Sequence, residues 1–154
     1  MLEALDDLPP AELYSHPDWL YKRWRKHYGA DAAIALMQWN QEPAENYARY
    51  NPLSKLPCPL ENPLPDTPGF YPIEGAVPMK LIRDGIIYMQ DPATRHCVEM
   101  LAPAPGEIIL DACAAPGGKA ALIAAAMENQ GTLVATDSNE KRLPRLRENL
   151  ERLH

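Results

Sequence analysis

Residues 108–137 limit the fold more tightly than any other part of this 154-residue chain. Ile108, Ile109 and Leu110 make a short apolar run ending at Asp111, as expected of a strand buried on both faces. The loop Asp-Ala-Cys-Ala-Ala-Pro-Gly-Gly-Lys follows over residues 111–119. A helix is expected over 119–127, closed near Gly131, and a second buried strand over 132–136, ending at Asp137. The last helix carries Leu143, Leu146, Leu150 and Leu153, spaced three, four and three residues apart. Ahead of the first strand, Asp91 caps a helix with Pro92 at its first position, which runs over 93–101 until Pro103 and Gly106 break it. Helix, strand, loop, helix, strand, helix is the start of a doubly wound α/β fold.

Upstream the chain is built differently. Residues 1–16 read as a leader with at most a short helix. His16-Pro17-Asp18 opens a helix whose apolar side holds Trp19, Leu20, Trp24 and Tyr28, and Gly29 stops it. A second helix is expected over 31–39 and a short strand over 46–51. Of the 17 prolines, eight fall between Pro52 and Pro78, which forbids a long helix or a central strand there. Residues 76–82 and 86–89 are β-prone, with Asp84-Gly85 as the turn between them. The organisation is therefore a leader over 1–16, a small α+β subdomain with a proline-rich connection over 17–89, and an α/β part over 90–154.

No apolar run approaches the ~18 residues of a membrane span. The start MLEALDDLPP lacks the basic-then-apolar order of a secretory signal, so no membrane partner is expected. Cys58, Cys97 and Cys113 have no paired spacing, which argues against a disulfide framework and against a metal site, and fits a reducing cytoplasm. A net charge of −6 is not the signature of nucleic-acid binding by bulk charge, though it leaves room for a local basic patch.

In the 111–119 loop, Gly117 and Gly118 let the backbone approach a ligand closely and Pro116 stiffens the turn. The following helix N-terminus offers unpaired N–H groups to an acceptor such as a carboxylate. Asp137 ends the next strand, where such folds reach the hydroxyls of a ribose. The phosphate-loop pattern is not met, because Cys113 stands where its first glycine belongs and Ala120 follows the lysine. Two adjacent glycines also miss the spacing of the dinucleotide fingerprint, which disfavours a nucleotide-dependent oxidoreductase.

The nonapeptide closely resembles the cofactor motif of the Sun/Fmu (RsmB/Nop-type) family of S-adenosylmethionine-dependent RNA 5-methylcytosine methyltransferases. Gln90-Asp91-Pro92-Ala93-Thr94, Pro105-Gly106-Glu107, Ala135-Thr136-Asp137, Arg142-Leu143 and Asn149-Leu150-Glu151-Arg152-Leu153 are similar to its flanking segments. His16-Pro17-Asp18-Trp19-Leu20, with Trp24 and Tyr28-Gly29, resembles the lead-in of its bacterial small-subunit rRNA branch. Tyr47-Ala48-Arg49-Tyr50-Asn51 is similar to its Arg-x-Asn strand. Ala120 departs from the Ser or Thr usual after the lysine. The resemblance implies the start of a Rossmann-like methyltransferase sheet preceded by a small α+β RNA-binding subdomain. It implies that Cys113, Ala114, Ala115, Pro116, Gly117, Gly118 and Lys119 line S-adenosyl-L-methionine, that Asp137 holds its ribose hydroxyls, and that Arg142 lies nearby. The implied substrate is RNA, rRNA before tRNA.

The family's two reactive cysteines stand in Pro-Cys and Thr-Cys motifs well downstream, and His154 comes before either. The chain alone is therefore expected to bind the cofactor weakly and not to methylate. Cys113 belongs to the cofactor loop, Cys97 lies beside Val98 and Leu101 on a helix and reads as a small buried hydrophobe, and Cys58 lies between two prolines. None stands in the clearly positive neighbourhood an activated thiol needs. Lys22, Arg23 and Lys26, among Trp19, Tyr21, Trp24 and Tyr28, suit an RNA-backbone contact with aromatic support. The solvated face of an amphipathic helix is the simpler reading. Arg49 and Asn51 either contact RNA or face water. The rival to an enzyme is a non-catalytic RNA-binding or partner-binding module that keeps a remnant of the cofactor loop.

Overall fold

A computed structural model describes residues 8–154, so residues 1–7 of the expected leader lie outside the described residues. The chain divides into two compact units, residues 1–44 and 45–154.

The first unit is helical. Its helices are α1 (Pro10–Leu13), α2 (Asp18–Tyr28) and α3 (Ala30–Trp39). Gly29 ends α2 as expected, its N–H donating to the Arg25 carbonyl at 3.0 Å. Ala33 and Met37 of α3 are buried. The His16 ring meets Trp24 edge-on at 5.6 Å and the Asn40 amide at 3.0 Å, which ties the turn before α2 to the end of α3.

The second unit opens with an antiparallel sheet in the order β2-β1-β3, made of β1 (Tyr47–Tyr50), β2 (Phe70–Pro72) and β3 (Ile87–Met89). Arg49 lies opposite Phe70 on one side and Tyr88 on the other. The prolines concealed β2. It is an edge strand with Pro72 at its end, where a missing N–H costs the ladder little. The β-prone stretch 76–82 is a correction: Met79–Arg83 forms helix α4, directly after Pro78. Proline sets a helix-compatible φ and cannot donate to a ladder. Leu81 and Ile82 pack against Ala48, Ile86 and Ile87, and this burial outweighs strand propensity. Asp84-Gly85 is a turn as expected, but it leads from α4 into β3.

A 3₁₀ turn at Pro92–Thr94, capped by Asp91 through the Ala93 N–H at 2.7 Å, leads into α5 (Arg95–Leu101). Strands β4 (Ile108–Asp111) and β5 (Thr132–Ala135) are parallel, with Asp111 facing Ala135. Helix α6 (Gly118–Ala126) joins them and α7 (Leu143–Leu153) follows, so the doubly wound beginning is present. Ile109 and Leu133 pack against Val98, Ile123 and Met127, and Leu133 and Ala135 against Ala120 and Leu146. The helices thus cover one face. On the other, Ile108 is 81% and Leu110 65% exposed, which corrects the expectation of strands buried on both faces. The run of apolar residues is that of a doubly covered strand, but no described residue lies over its second face.

Candidate functional site

The 111–119 loop crosses from the end of β4 to the start of α6 and is held from beneath by the chain after β5. The Ala114 N–H donates to the Thr136 carbonyl and the Thr136 N–H to the Asp111 carbonyl, both at 2.8 Å. The Gly117 N–H closes the turn on the Ala114 carbonyl at 2.6 Å. Ala114 and Ala115 are buried, while Cys113, Pro116 and Lys119 are exposed. No side chain among the described residues caps α6, so the N–H groups at its start are without a capping partner there. Asp111 accepts the Cys113 N–H on Oδ1 at 3.2 Å. Its Oδ2 is buried without a partner among the described residues.

The two glycines are also required by packing within the protein. Gly117 has φ 109°, and a Cβ there would stand 3.2 Å from Leu146 Cδ1 and 3.6 Å from Asn149 Cβ. A Cβ on Gly118 would stand 3.0 Å from Tyr88 Cε1 and 3.1 Å from Gln90 Nε2. Their missing side chains let the loop pack against α7 and β3. The opposite side of the loop, with Cys113, Pro116 and Lys119, is the one that faces solvent.

Asp137 is brought to this loop, but as a bonded group. Its side chain is 1% exposed. Oδ2 accepts the Ala115 N–H at 3.1 Å and pairs with Arg142 at 3.3 Å, while Oδ1 accepts the Asn139 N–H at 3.0 Å. Arg142 also donates to the Ala115 carbonyl. A carboxylate has about four acceptor positions. The Ala115, Asn139 and Arg142 contacts fill three of them.

Sequence reasoning missed Asn149 and Arg152. The side chain of Asn149 donates to the Pro116 carbonyl at 2.7 Å and accepts from Arg152 at 3.0 Å. The available signal was its place three residues after Leu146 and four before Leu153, a polar residue at a seam position. Asp111 Oδ2 was also missed, because orphaned acceptors are not visible without coordinates.

On α2 the inward residues are Leu20, Tyr21 and Trp24. Trp19, Lys22, Arg23 and Lys26 are exposed and follow i, i+3, i+4, i+7 spacing, which places them on one face. Lys22 is paired with Asp18 at 2.5 Å, while Arg23 and Lys26 have no ion-pair partner among the described residues.

The remaining two residues of the RNA expectation, Arg49 and Asn51, are corrected: each is 2% exposed and faces neither water nor an open surface. Asn51 donates to the Gly85 and Leu153 carbonyls, at 3.0 and 2.9 Å. Arg49 donates through Nε to Gln90 Oε1 at 2.8 Å, and its terminal nitrogens meet no acceptor among the described residues. Burial lowers its guanidinium to about 10. For a cation a lowered folded pKa means that the cost is present at neutral pH and relieved only as the pH rises past that value. Arg49→Met is therefore expected to leave the stability in urea unchanged or raised. A loss of roughly 3 kcal/mol or more would show that the guanidinium has a compensating partner.

Cys97 and Cys113 are exposed and Cys58 is half-buried, all three free thiols; the expectation of a buried Cys97 is corrected, since the buried position on α5 is its neighbour Val98. Among the described residues no helix is long and apolar enough to cross a membrane, and no three His, Cys, Asp or Glu side chains form a metal-holding group.

The family described as 16S rRNA methyltransferase RsmB/F matches residues 98–154, and the RsmF/B-like ferredoxin-like domain matches residues 16–55. Ribosomal RNA small subunit methyltransferase B of Serratia proteamaculans is 33% identical over 166 residues, covering 91% of this chain and 35% of that protein. The protein of the same name from Cronobacter sakazakii is 34% identical, covering 99% of this chain and 30% of its own. The chain thus spans about a third of the length of these relatives. The crystal structure of a methyltransferase homolog protein from Pyrococcus horikoshii superposes with a TM-score of 0.75 at 25% identity, over 99% of this chain and 53% of that one.

Proposed function

The chain belongs to the RsmB/F methyltransferase family, and from that premise we propose that it is the S-adenosyl-L-methionine-holding part of an RNA (cytosine-5) methyltransferase acting on rRNA. On this reading residues 17–89 form the RNA-binding subdomain and 90–154 the first part of the cofactor domain. The observation that carries it is the uncapped start of α6, set between the acidic strand ends at Asp111 and Asp137.

The residues fit that cofactor. Free N–H groups at Gly118 and Lys119, with the Lys119 ammonium, suit a carboxylate. The unpartnered Asp111 Oδ2 suits an ammonium, because a buried acceptor without a donor is costly. Asp137 takes a ribose hydroxyl at its remaining acceptor position. Cys113, Ala114, Ala115, Pro116 and Gly117 supply the wall between these groups. When bound, the cofactor supplies an electrophilic methyl group. Cys113 is assigned to that wall and not to attack on a base. Lys22, Arg23 and Lys26 contact the RNA backbone, with Trp19 on the same face as a stacking surface.

Calorimetry is expected to show that S-adenosylhomocysteine binds and NAD does not. Preference for NAD would overturn the assignment. Methyl transfer to RNA by these 154 residues alone is expected to be absent, since a two-stranded sheet with a bare apolar face is an incomplete enzyme domain. Turnover would refute that statement. Retained RNA binding with no affinity for S-adenosylhomocysteine would favour the non-catalytic module.

A further inference from the structure

Helix α7 does more than close the sheet. Its inner face is apolar at Leu146, Leu150 and Leu153, yet Asn149 sits among them at 2% exposed. A buried amide is costly unless both of its ends are bonded. Here both are. Nδ2 donates to the Pro116 carbonyl at 2.7 Å, and Oδ1 accepts from Arg152 at 3.0 Å. The Arg152 bond fixes which way the amide faces, since guanidinium only donates and so selects the oxygen. Arg152 is itself anchored. It donates to the Ile82 carbonyl, and its guanidinium lies 5.8 Å from the centre of the Tyr88 ring. Asn51 secures the same end of α7 through the Leu153 carbonyl at 2.9 Å.

The Pro116 carbonyl is a sensitive point to hold. It shares one rigid peptide plane with the Gly117 N–H. That N–H is bonded to the Ala114 carbonyl at 2.6 Å, so the plane is pinned at both ends. Gly117 directly precedes α6, and the orientation of this plane sets where the first-turn N–H groups point.

We propose that Asn149 is a positioning residue for the cofactor loop: by holding the Pro116 carbonyl it aims the N–H groups of Gly118 and Lys119 at the carboxylate end of the methyl donor. The inference rests on the reading of this loop as an S-adenosylmethionine site. Asn149 touches no ligand. It acts through the loop, and Arg152 keeps its amide in the donating orientation.

Asn149→Asp preserves the shape and the Arg152 partner but removes the N–H₂ donor. In the free protein the amide resonances of Gly117, Gly118 and Lys119 are expected to move, while those of Gly69 and Gly106 stay. In calorimetry the Kd for S-adenosylhomocysteine is expected to rise roughly tenfold, the worth of one good hydrogen bond. That for 5′-methylthioadenosine, which lacks the amino-acid end, is expected to change less than about twofold. Asn149→Ala removes the donor without adding charge and is expected to act alike, which covers a failure of the Asp variant to fold. Equal weakening of both ligands means a general structural role and overturns the proposal, as do unmoved loop resonances with unchanged affinities. A wild-type chain that binds neither ligand overturns the cofactor reading itself. A wild-type chain that binds both, with variants indistinguishable from it, overturns only the role of Asn149.

Discussion

Gly85→Ala is expected to destabilise residues 45–154 by about 3 kcal/mol, although it adds one methyl group. Gly85 has φ 68°, a conformation costly for side chains. The larger cost is steric. The added Cβ would run into the backbone carbonyl oxygen of Arg152, with that carbonyl carbon at 3.1 Å. A flexible side chain could turn away, but a helix backbone cannot. The end of α7 must therefore move off the turn before β3. The Asn51 side chain bonds both Gly85 and Leu153, so the shift also strains those two bonds. Thermal unfolding is expected to fall by on the order of 10 °C. Because Asn149 and Arg152 ride on the same helix, affinity for S-adenosylhomocysteine falls as well. A variant within about 0.5 kcal/mol of wild type, the scatter of neutral surface changes, would show that α7 does not rest on Gly85.

Asn51→Leu is expected to cost a similar amount by another route. The side chain is near in size, so little cavity forms. Two buried carbonyls, of Gly85 and Leu153, lose their donor, and the Leu53 N–H loses the Oδ1 acceptor it now meets at 3.2 Å. Each orphaned buried group costs roughly 1–3 kcal/mol, and a total of about 3 kcal/mol in urea unfolding is expected. The affinity of the folded fraction for single-stranded RNA is expected to be unchanged, since Asn51 is buried. Unchanged stability with weakened RNA binding would restore the RNA-contact role and contradict its burial. The same comparison at Lys26, exposed on α2, is the control that should move RNA affinity and leave stability alone.

These two experiments mark where sequence reasoning stops. Glycine at 85 was legible as a turn, because Asp-Gly favours positive φ wherever it occurs. That the turn abuts Arg152 was not, since the contact joins residues on two distant segments. Helix α4 was read as strand because Leu81, Ile82 and their neighbours have strand-like composition, and five residues are too few for a helical period to declare itself. Strand β2 was masked by the prolines around it, and it exists because β1 offers an edge. The loop over residues 111–119 was legible in full as a motif. The partners of Asp137 were not, nor the reason for Gly118, whose neighbours Tyr88 and Gln90 come from β3 and the residue after it.

The sequence by itself determined the order of strand, loop, helix, strand and helix over residues 108–153 and the motif that the loop carries. Hydrophobic period, proline and glycine restrictions and a contiguous motif all act over a few residues, so they can be read locally. Only the tertiary structure decided which polar groups are bonded within the protein and which are left without a partner. Asn51 meets Leu153 across 102 residues, and Asn149 meets Pro116 across 33. Whether an asparagine faces RNA, water or a carbonyl depends on which distant backbone arrives beside it, and no local rule carries that information. At the loop where the sequence was most informative, the structure added a second reason for the two glycines, the packing of α7 and β3 against them.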